Sequence, residues 1–385
     1  MSTGPLVMHY RSLFLPASET FTRTLIAHHQ RYRAEVVTHE RVTPSSLDPA
    51  PVHVLPESAS GLHGLARRWI WAARLPQRRA VIRSALDRLR PALIHAHFGE
   101  DAVVGSAAAR ASGLPSVAAF YGYDATVLAR SPFWRRRFRR LFVDADAILA
   151  EGPAMAERLA ALGCPADRLV IQPIPIDLRL FPFRPPAPRG ERTMLLQACR
   201  FVEKKGVDLT IEAFARLAAD DAGLHLRLIG DGPERMSLER MARQSGAADR
   251  IQFLGARTHA EYARDLAEAD IFVQPSRTAA NGDGEGGAPT TLLEAQAVGL
   301  PIVASDHADL PWVVSAGGAL LAREGDVTQL SELLGHLLAH REEWGRRALA
   351  GRRHVVERHA VGTVIGSLER LYDRILASPG RGPAA

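Results

Sequence analysis

Along the chain, short runs of apolar residues alternate with stretches in which apolar positions recur every three to four residues. The first pattern predicts buried strands and the second predicts the helices that cover them. Their alternation predicts parallel sheets. In the first half the strand candidates are Leu6–Tyr10, 34–38, Leu93–His97, 116–121, Ala147–Ala150 and 169–172, with helical stretches at 21–31, 79–90 and 154–162. Four prolines in 181–190 (FPFRPPAPRG) then predict a stiff linker. The pattern restarts with strands at Thr193–Ala198, Leu224–Ile229, 251–254, Ile271–Gln274 and 301–304. Helices follow at Val207–Ala218, 233–245, 259–267, 289–298 and 328–339, making five βα units. A last amphipathic stretch, Val361–Ala377, has no strand after it. A chain of 385 residues exceeds one ordinary core, so two α/β domains are expected, 1–185 and 186–360.

Composition narrows the class. Hydrophobic content of 46% with 23% charged residues is that of a globular protein. No apolar run approaches the roughly 18 residues that span a bilayer. The first apolar stretch, 6–15, carries His9 and Arg11 and is not a signal peptide. A cytoplasmic protein is the expectation. Cys164 and Cys199 lack metal-ligand spacing and read as small buried hydrophobes. The charge is uneven, at +9 over residues 1–185 and −3 over 186–385. No helix-turn-helix, zinc-finger or RNA-recognition signature accompanies the basic half, so nucleic acid is not the expected partner. Of 48 basic residues 46 are Arg, and the two Lys are neighbours, Lys204 and Lys205.

The lysine pair sits in the densest constellation of chemistry. Strand Thr193–Ala198 runs into Arg200, Lys204, Lys205 and Gly206, and then a helix. Cations at the carboxyl end of a strand, beside a helix amino terminus, suit a diphosphate. A solvated basic loop would look the same. The second part is GEGGAPTTLLEA, residues 284–295, after strand Ile271–Gln274. Pro289 suits the first helical position, which aims the amides of Thr290, Thr291 and Leu292 at whatever lies before the helix. Glu285 in the loop and Glu294 on the helix can grip two sets of hydroxyls while the amides grip phosphate. A nucleotide sugar presents that order of ribose diol, diphosphate and sugar diol. The alternative is one acid favouring the helix dipole and one exposed acid. Gly282, Gly284 and Gly287 also fit G-x-G-x-x-G, but Asp283 and Glu285 would repel a pyrophosphate there.

The runs LLQACRFVEKKGVDLTIEAFA, LIGDGP, RIQFLG and EGGAPTTLLEAQAVGLPIVAS resemble glycosyltransferase family 4, the group 1 glycosyltransferases of the GT-B superfamily, and in particular members that build exopolysaccharide or colanic-acid-type glycans. The likeness covers most of 90–330. It implies that Arg200 and Lys205 bind the donor diphosphate, that Glu285 contacts sugar hydroxyls and acts in catalysis, and that Glu294 binds ribose. Gly230, Gly286, Pro289, Thr290, Thr291 and Leu292 complete the implied donor site. Eight residues separate Glu285 from Glu294 where the family has seven, so the loop must bulge at Gly287-Ala288.

Weaker marks lie in the first half. LPASETF, 15–21, resembles a family loop facing the acceptor and supplies Ser18 and Glu19, although Ser18 reads equally as a helix N-cap. His95-Ala96-His97-Phe98-Gly99 resembles the family's His-x-His-Phe-Gly, whose second His is an acceptor-side residue. Two His at i, i+2 lack supporting Cys or carboxylates, so a metal is not expected. FYGYD, 120–124, resembles Phe-His-Gly-Tyr-Asp, with Tyr121 at the His position and Asp124 at the Asp. Tyrosine keeps a hydrogen-bonding tip but is no near-neutral proton acceptor. Residues 133–142 (FWRRRFRRLF) and 66–71 (ARRWIW) mix Arg with aromatics. Such faces suit an anionic membrane surface carrying lipid-linked acceptors, or else solvated helices with their rings in the core.

The resemblance therefore implies a GT-B fold of two facing doubly wound Rossmann-like domains with a cleft between them. The first would bind the acceptor and be rejoined by the C-terminal helix, 361–385, and the second would bind the donor. The implied activity is retaining, metal-independent sugar transfer from a nucleotide-diphosphate sugar to a glycan or lipid-linked acceptor, with no cofactor beyond that co-substrate. A nucleotide-sugar epimerase and a non-catalytic nucleotide-sugar-binding protein are the rivals on the same fold.

Overall fold

A computed structural model describes residues 4–14, 19–42, 44–55, 66–186 and 192–378, of which 66–76 by their backbone alone. The chain divides into two compact units, 1–175 with 361–385, and 176–360. Among the described residues the first holds nine strands, β1 (Leu6–Tyr10), β2 (Leu13–Phe14), β3 (Arg33–Thr38), β4 (Glu40–Arg41), β5 (Val52–Val54), β6 (Leu93–His97), β7 (Ser116–Ala119), β8 (Ala147–Ala150) and β9 (Leu169–Ile171). Seven form one sheet in the order β5-β3-β1-β6-β7-β8-β9, and β2 pairs with β4 alone. The second unit contains β10 (Thr193–Ala198), β11 (Leu224–Ile229), β12 (Ile251–Gly255), β13 (Ile271–Gln274), β14 (Ile302–Asp306) and β15 (Ala319–Arg323), in the order β12-β11-β10-β13-β14-β15.

Both sheets are parallel throughout. The reason is in the sequence. β1, β6, β7, β8, β10 and β13 are buried at every position, so both faces need covering, and helical crossovers supply the cover. In each sheet the chain starts in the middle, builds outward on one side, and then returns to build the other. The order reverses between β1 and β6 and again between β10 and β13.

The sequence pattern did not reveal helix Gly99–Ala111, helix Trp344–Arg358 or strand β15. Helix Gly99–Ala111 is buried along most of its length and rich in Ala and Gly, so it has no polar face to betray it. Edge strand β15 is only half-buried and shows no clean apolar run. Helix Val361–Ala377 does have a clear stripe. Val364, Ile365, Leu368, Leu371 and Tyr372 are buried, and the last four cluster with Leu25, Ile26 and Val7 of the first unit. Its other face holds the first unit by charge, since Arg31 pairs with Asp373 at 2.6 Å and the amides of Gln30 and Arg31 donate to Glu369 at 2.7 and 3.0 Å.

Two expectations need correction. The domain boundary falls at 175/176, ten residues before 185/186. Ile176 donates to His359 at 2.7 Å and bridges Ala360, the Arg184 amide donates to Val298 at 2.7 Å, and Phe181 is buried. Residues 176–186 are thus docked on the second unit by these groups, and the rest of the stiff linker expected over 181–190 lies outside the described residues. In helix Pro132–Asp144 the aromatics are not a membrane-facing set. Trp134, Phe138 and Phe142 lie in the core, while Arg135, Arg136, Arg139 and Arg140 remain exposed. The side chains of 66–71 lie outside the described residues. Among the described residues, no helix is long and apolar enough to cross a membrane.

Truncating the stripe of the last helix tests the assembly of the first unit. Leu368→Ala should destabilise it by about 2–5 kcal/mol. Hydrogen exchange should quicken in β1 and β6 and leave β10 and β11 unchanged.

Candidate functional site

In the second unit the loops leaving β10 and β13, 199–206 and 275–289, flank the point where the strand order reverses, outside the carboxyl ends of the strands. They pack backbone against backbone. Gly206 has φ 61°, and a Cβ there would lie 2.1 Å from the Pro275 carbonyl oxygen. Gly230, at the end of β11, has φ 132°, and a Cβ would lie 1.8 Å from the Cys199 oxygen. Only glycine permits either approach. Gly230 thus shapes the β10 loop.

Lys205 Nζ sits 2.5 Å from Glu285 Oε1, with both side chains largely buried. Ser276 Oγ donates to the same oxygen at 2.8 Å and receives from Gln274 at 2.8 Å. Burial alone would raise the Glu285 pKa, but Lys205 and then Lys204 outweigh it and hold the carboxylate below its usual range. The Glu285 amide donates to His307 Nε2 at 3.1 Å, so His307 Nδ1 carries the proton it gives to Glu324 at 2.9 Å. Lys204 Nζ bonds Asp283 and the Gly284 carbonyl, both at 3.1 Å. Arg200 is exposed on the same loop.

Helix Thr290–Val298 follows, with Pro289 as its cap rather than its first residue. The Leu292 amide donates to the Pro289 carbonyl at 3.1 Å, which corrects the expectation that it points outward with Thr290 and Thr291. Gly286 is buried in the bulged loop. Glu294 is buried on the helix, and desolvation pushes its carboxyl up to about 7, with Tyr262 as the only opposing influence.

The reversal point of the first sheet gathers a different set. Arg11 leaves β1 and holds Glu19 through two bonds of 3.2 and 2.8 Å, Asp101 at 2.9 Å and Glu100 at 3.6 Å, while lying 3.9 Å over the Phe98 ring. Phe98, with φ 67°, is a strained non-glycine residue at the head of helix Gly99–Ala111. Glu19 is therefore an ion-pair partner with little left for a substrate. Asp124 is fully buried and accepts amides from Gly99, Tyr121, Gly122 and Ala125 at 2.9–3.2 Å, so it braces the Tyr121 loop instead of binding an acceptor. His97 is also fully buried and reaches Tyr121 OH at 2.8 Å and His9 at 3.0 Å, not a substrate. Burial holds His9 and His95 neutral and drives His97 down to about 3. Tyr121 is half-buried and lines a hollow with Phe21, Leu25, Glu151 and Gln172. Ser18 lies outside the described residues.

Sequence reasoning thus found Lys205 and Glu285, which the structure brings into contact, and missed Ser276, His307, Glu324, Arg11 and Asp101. His307 and Arg11 each follow the carboxyl end of a sheet strand, and that position is the signal that would have found them.

The family described as Glycosyl transferases group 1 matches residues 182–353, and Glycosyltransferase Family 4 matches 18–180. The putative colanic acid biosynthesis glycosyltransferase WcaL of Escherichia coli K12 is 30% identical over 287 residues, 71% of this chain and 70% of that protein. The amylovoran biosynthesis glycosyltransferase AmsK of Erwinia amylovora is 31% identical over 261 residues, 64% of each chain. The chain spans 59% of the Salmonella typhimurium WcaL that it matches at 31% identity. Among solved structures, Anabaena Alr3699/HepE in complex with UDP and glucose superposes with a TM-score of 0.74 at 17% identity, over 95% of this chain and 99% of that one. The sucrose-phosphate synthase of Thermosynechococcus elongatus gives 0.79 at 17%, over 97% and 100%. At such identities the likeness is one of fold, and that fold is GT-B.

The Lys205–Glu285 pair makes a quantitative prediction that needs no ligand. Removing one member of a buried pair costs about 3–5 kcal/mol, because the other charge is left uncompensated. Lys205→Met and Glu285→Gln should each show a substantial part of that loss in chemical denaturation, and the double variant should recover at least half of the summed loss. Additive losses would mean that the two groups do not interact.

Proposed function

This chain belongs to the group 1 glycosyltransferases of family 4, with the GT-B fold, and we propose that it moves a sugar from a nucleotide-diphosphate sugar to a glycan or lipid-linked acceptor in polysaccharide biosynthesis, with retention of configuration and without a metal. The observation that carries this reading is the Lys205–Glu285 pair at the strand-order reversal, in the loops that lead to helix Thr290–Val298. The names of the WcaL and AmsK relatives support the polysaccharide context.

In this proposal the donor diphosphate accepts from Lys205, Arg200 and the amides of Thr290 and Thr291. Lys205 already has a counter-ion in Glu285, so the diphosphate must share or replace it. That exchange leaves Glu285 held by Ser276 and by its own amide on His307, with its carboxylate released to the sugar hydroxyls. Glu294 receives the ribose hydroxyls. The sugar C1–O bond to the diphosphate breaks as the acceptor oxygen bonds C1 on the same face, and the acceptor proton passes to the departing phosphate oxygen. The chain's work is to stabilise negative charge on the leaving group with donors fixed in advance. A lipid-linked acceptor rests on charge alone, through the exposed Arg135, Arg136, Arg139 and Arg140, which face an anionic surface without aromatic insertion.

Isothermal titration separates the two carboxylates. Glu294→Ala should weaken both free nucleoside diphosphate and nucleotide sugar by about 1.5–3 kcal/mol. Glu285→Ala should spare the free diphosphate and weaken only the sugar conjugate. Equal loss of the free diphosphate in both variants would show the roles to be misassigned.

The Glu294 carboxyl at about 7 adds a pH dependence. The ionised form accepts ribose hydroxyls, so affinity for the nucleotide sugar should rise as pH increases through 7. Between pH 6 and 8 the ionised fraction grows about tenfold for such a pKa. Glu294→Gln should bind weakly and flatten the curve, whereas a slope of wild-type size in that variant would assign the titration elsewhere.

A further inference from the structure

Five side chains of the first unit form one continuous hydrogen-bonded chain. Glu369 Oε1 lies 3.4 Å from His29 Nδ1, His29 Nε2 lies 3.0 Å from His9 Nε2, His9 Nδ1 lies 3.0 Å from His97 Nε2, and His97 Nδ1 lies 2.8 Å from the Tyr121 hydroxyl. The side chains of His29 and Glu369 are 2% and 1% exposed, and His9 and His97 are fully buried. A neutral imidazole has one N–H and one lone pair, so each link admits a single donor. Fixing one end of such a chain fixes the direction of every bond in it.

Glu369 is the end that is fixed. Its Oε1 accepts the amides of Gln30 and Arg31 at 2.7 and 3.0 Å, and Oε2 accepts Arg31 Nε at 3.2 Å. A carboxylate with those donors can only accept. With all three imidazoles neutral, His29 carries its proton on Nδ1 and receives at Nε2, His9 donates from Nε2 and receives at Nδ1, and His97 donates from Nε2 and receives at Nδ1. The last bond must then come from Tyr121, whose hydroxyl gives its only proton inward. What the Tyr121 hydroxyl has left to offer is a lone pair, and Tyr121 lines the hollow with Phe21 and Glu151.

We propose that Glu369, acting through His29, His9 and His97, fixes the Tyr121 hydroxyl as a hydrogen-bond acceptor toward the incoming acceptor substrate, so that this position selects a free sugar hydroxyl over an ether or a carbonyl. The substrate half of this statement rests on the glycosyltransferase reading, and the direction of the chain does not. Glu369, His29, His9 and His97 are positioning residues, and Tyr121 is the group that meets the ligand. His95 stands beside the chain, stacked on His97 at 4.4 Å, with Nδ1 on Tyr372 at 2.6 Å and Nε2 without a partner among the described residues. His9, His95 and His97 bring one nitrogen each within 4.8 Å of the others, which raises a transition metal as the competing occupant. A tetrahedral ion holding imidazoles at 2.0–2.1 Å sets their nitrogens about 3.4 Å apart. A metal would also claim the His97 Nε2 lone pair, put its proton on Nδ1, and turn the Tyr121 proton outward. The two occupants thus require opposite tautomers of His97.

Long-range proton–nitrogen correlation on histidine-labelled full-length protein at pH 8 reads those tautomers without any substrate. Signals would be assigned through His9→Gln, His29→Gln and His97→Gln. The expected result is Nε2–H on His9 and His97 and Nδ1–H on His29. Glu369→Ala should scramble the His9 and His97 tautomers, whereas Glu369→Gln, which keeps a carbonyl oxygen for His29, should preserve them. In turnover assays Glu369→Ala should raise the KM for the acceptor about fivefold, with kcat and donor KM within twofold, and Glu369→Gln should restore it. Nδ1–H on His97 in the wild type overturns the proposal. So does a transition metal at one equivalent per chain that His97→Gln removes, or an acceptor KM that stays put while the tautomers scramble. Should Glu369→Ala fail to fold, the wild-type spectrum and Glu369→Gln still decide the direction of the chain.

Discussion

Parallel strands buried on both faces satisfy their backbone groups along their whole length, and they leave polar freedom only where they end. In a sheet that starts from a central strand, adjacent strand ends diverge at one place, between β1 and β6 in the first unit and between β10 and β13 in the second. Both clusters of buried ionisable side chains grow from the loops at those places. Arg11 and Phe98 continue β1 and β6, and Lys205 and Glu285 follow β10 and β13. The chemistry is where the topology leaves room for it.

Burying charge in those loops is tolerable only with a partner. Each cluster resolves this differently. Around Arg11, three carboxylates converge on one guanidinium, and that site is locked. Around Lys205, the pairing is one to one, and Ser276 and His307 hold Glu285 independently of the lysine. The second arrangement can exchange one anion for another without stranding a charge, and the first cannot. Glu294 has no ion-pair partner among the described residues, and burial makes its carboxyl correspondingly reluctant to ionise.

Most of the sheet framework was legible. β1, β6, β8, β10, β11 and β13 lie where the apolar runs placed them, because strands of a sheet covered on both faces are mostly apolar. The cation pair was legible because the chain's two lysines stand together. What stayed hidden depends on long-range partners. Nothing local shows that Asp124 reaches the Gly99 amide, that His9 meets His97 across 88 residues, or that Glu324 reaches back to His307. The early boundary at Ile176 rests on pairing with His359 and Ala360, far along the chain.

The first unit is closed by a helix encoded after the whole of the second. During synthesis, residues 361–377 emerge only once 176–360 have already appeared, so the later-encoded unit can finish folding while the earlier one still lacks part of its core. Until then Val7, Leu25 and Ile26 have no cover from Leu368 and Tyr372. His29 and His9 meanwhile have no Glu369 to orient them. The unit encoded first can therefore be the last to be completed, and its core stays unfinished until the last helix arrives.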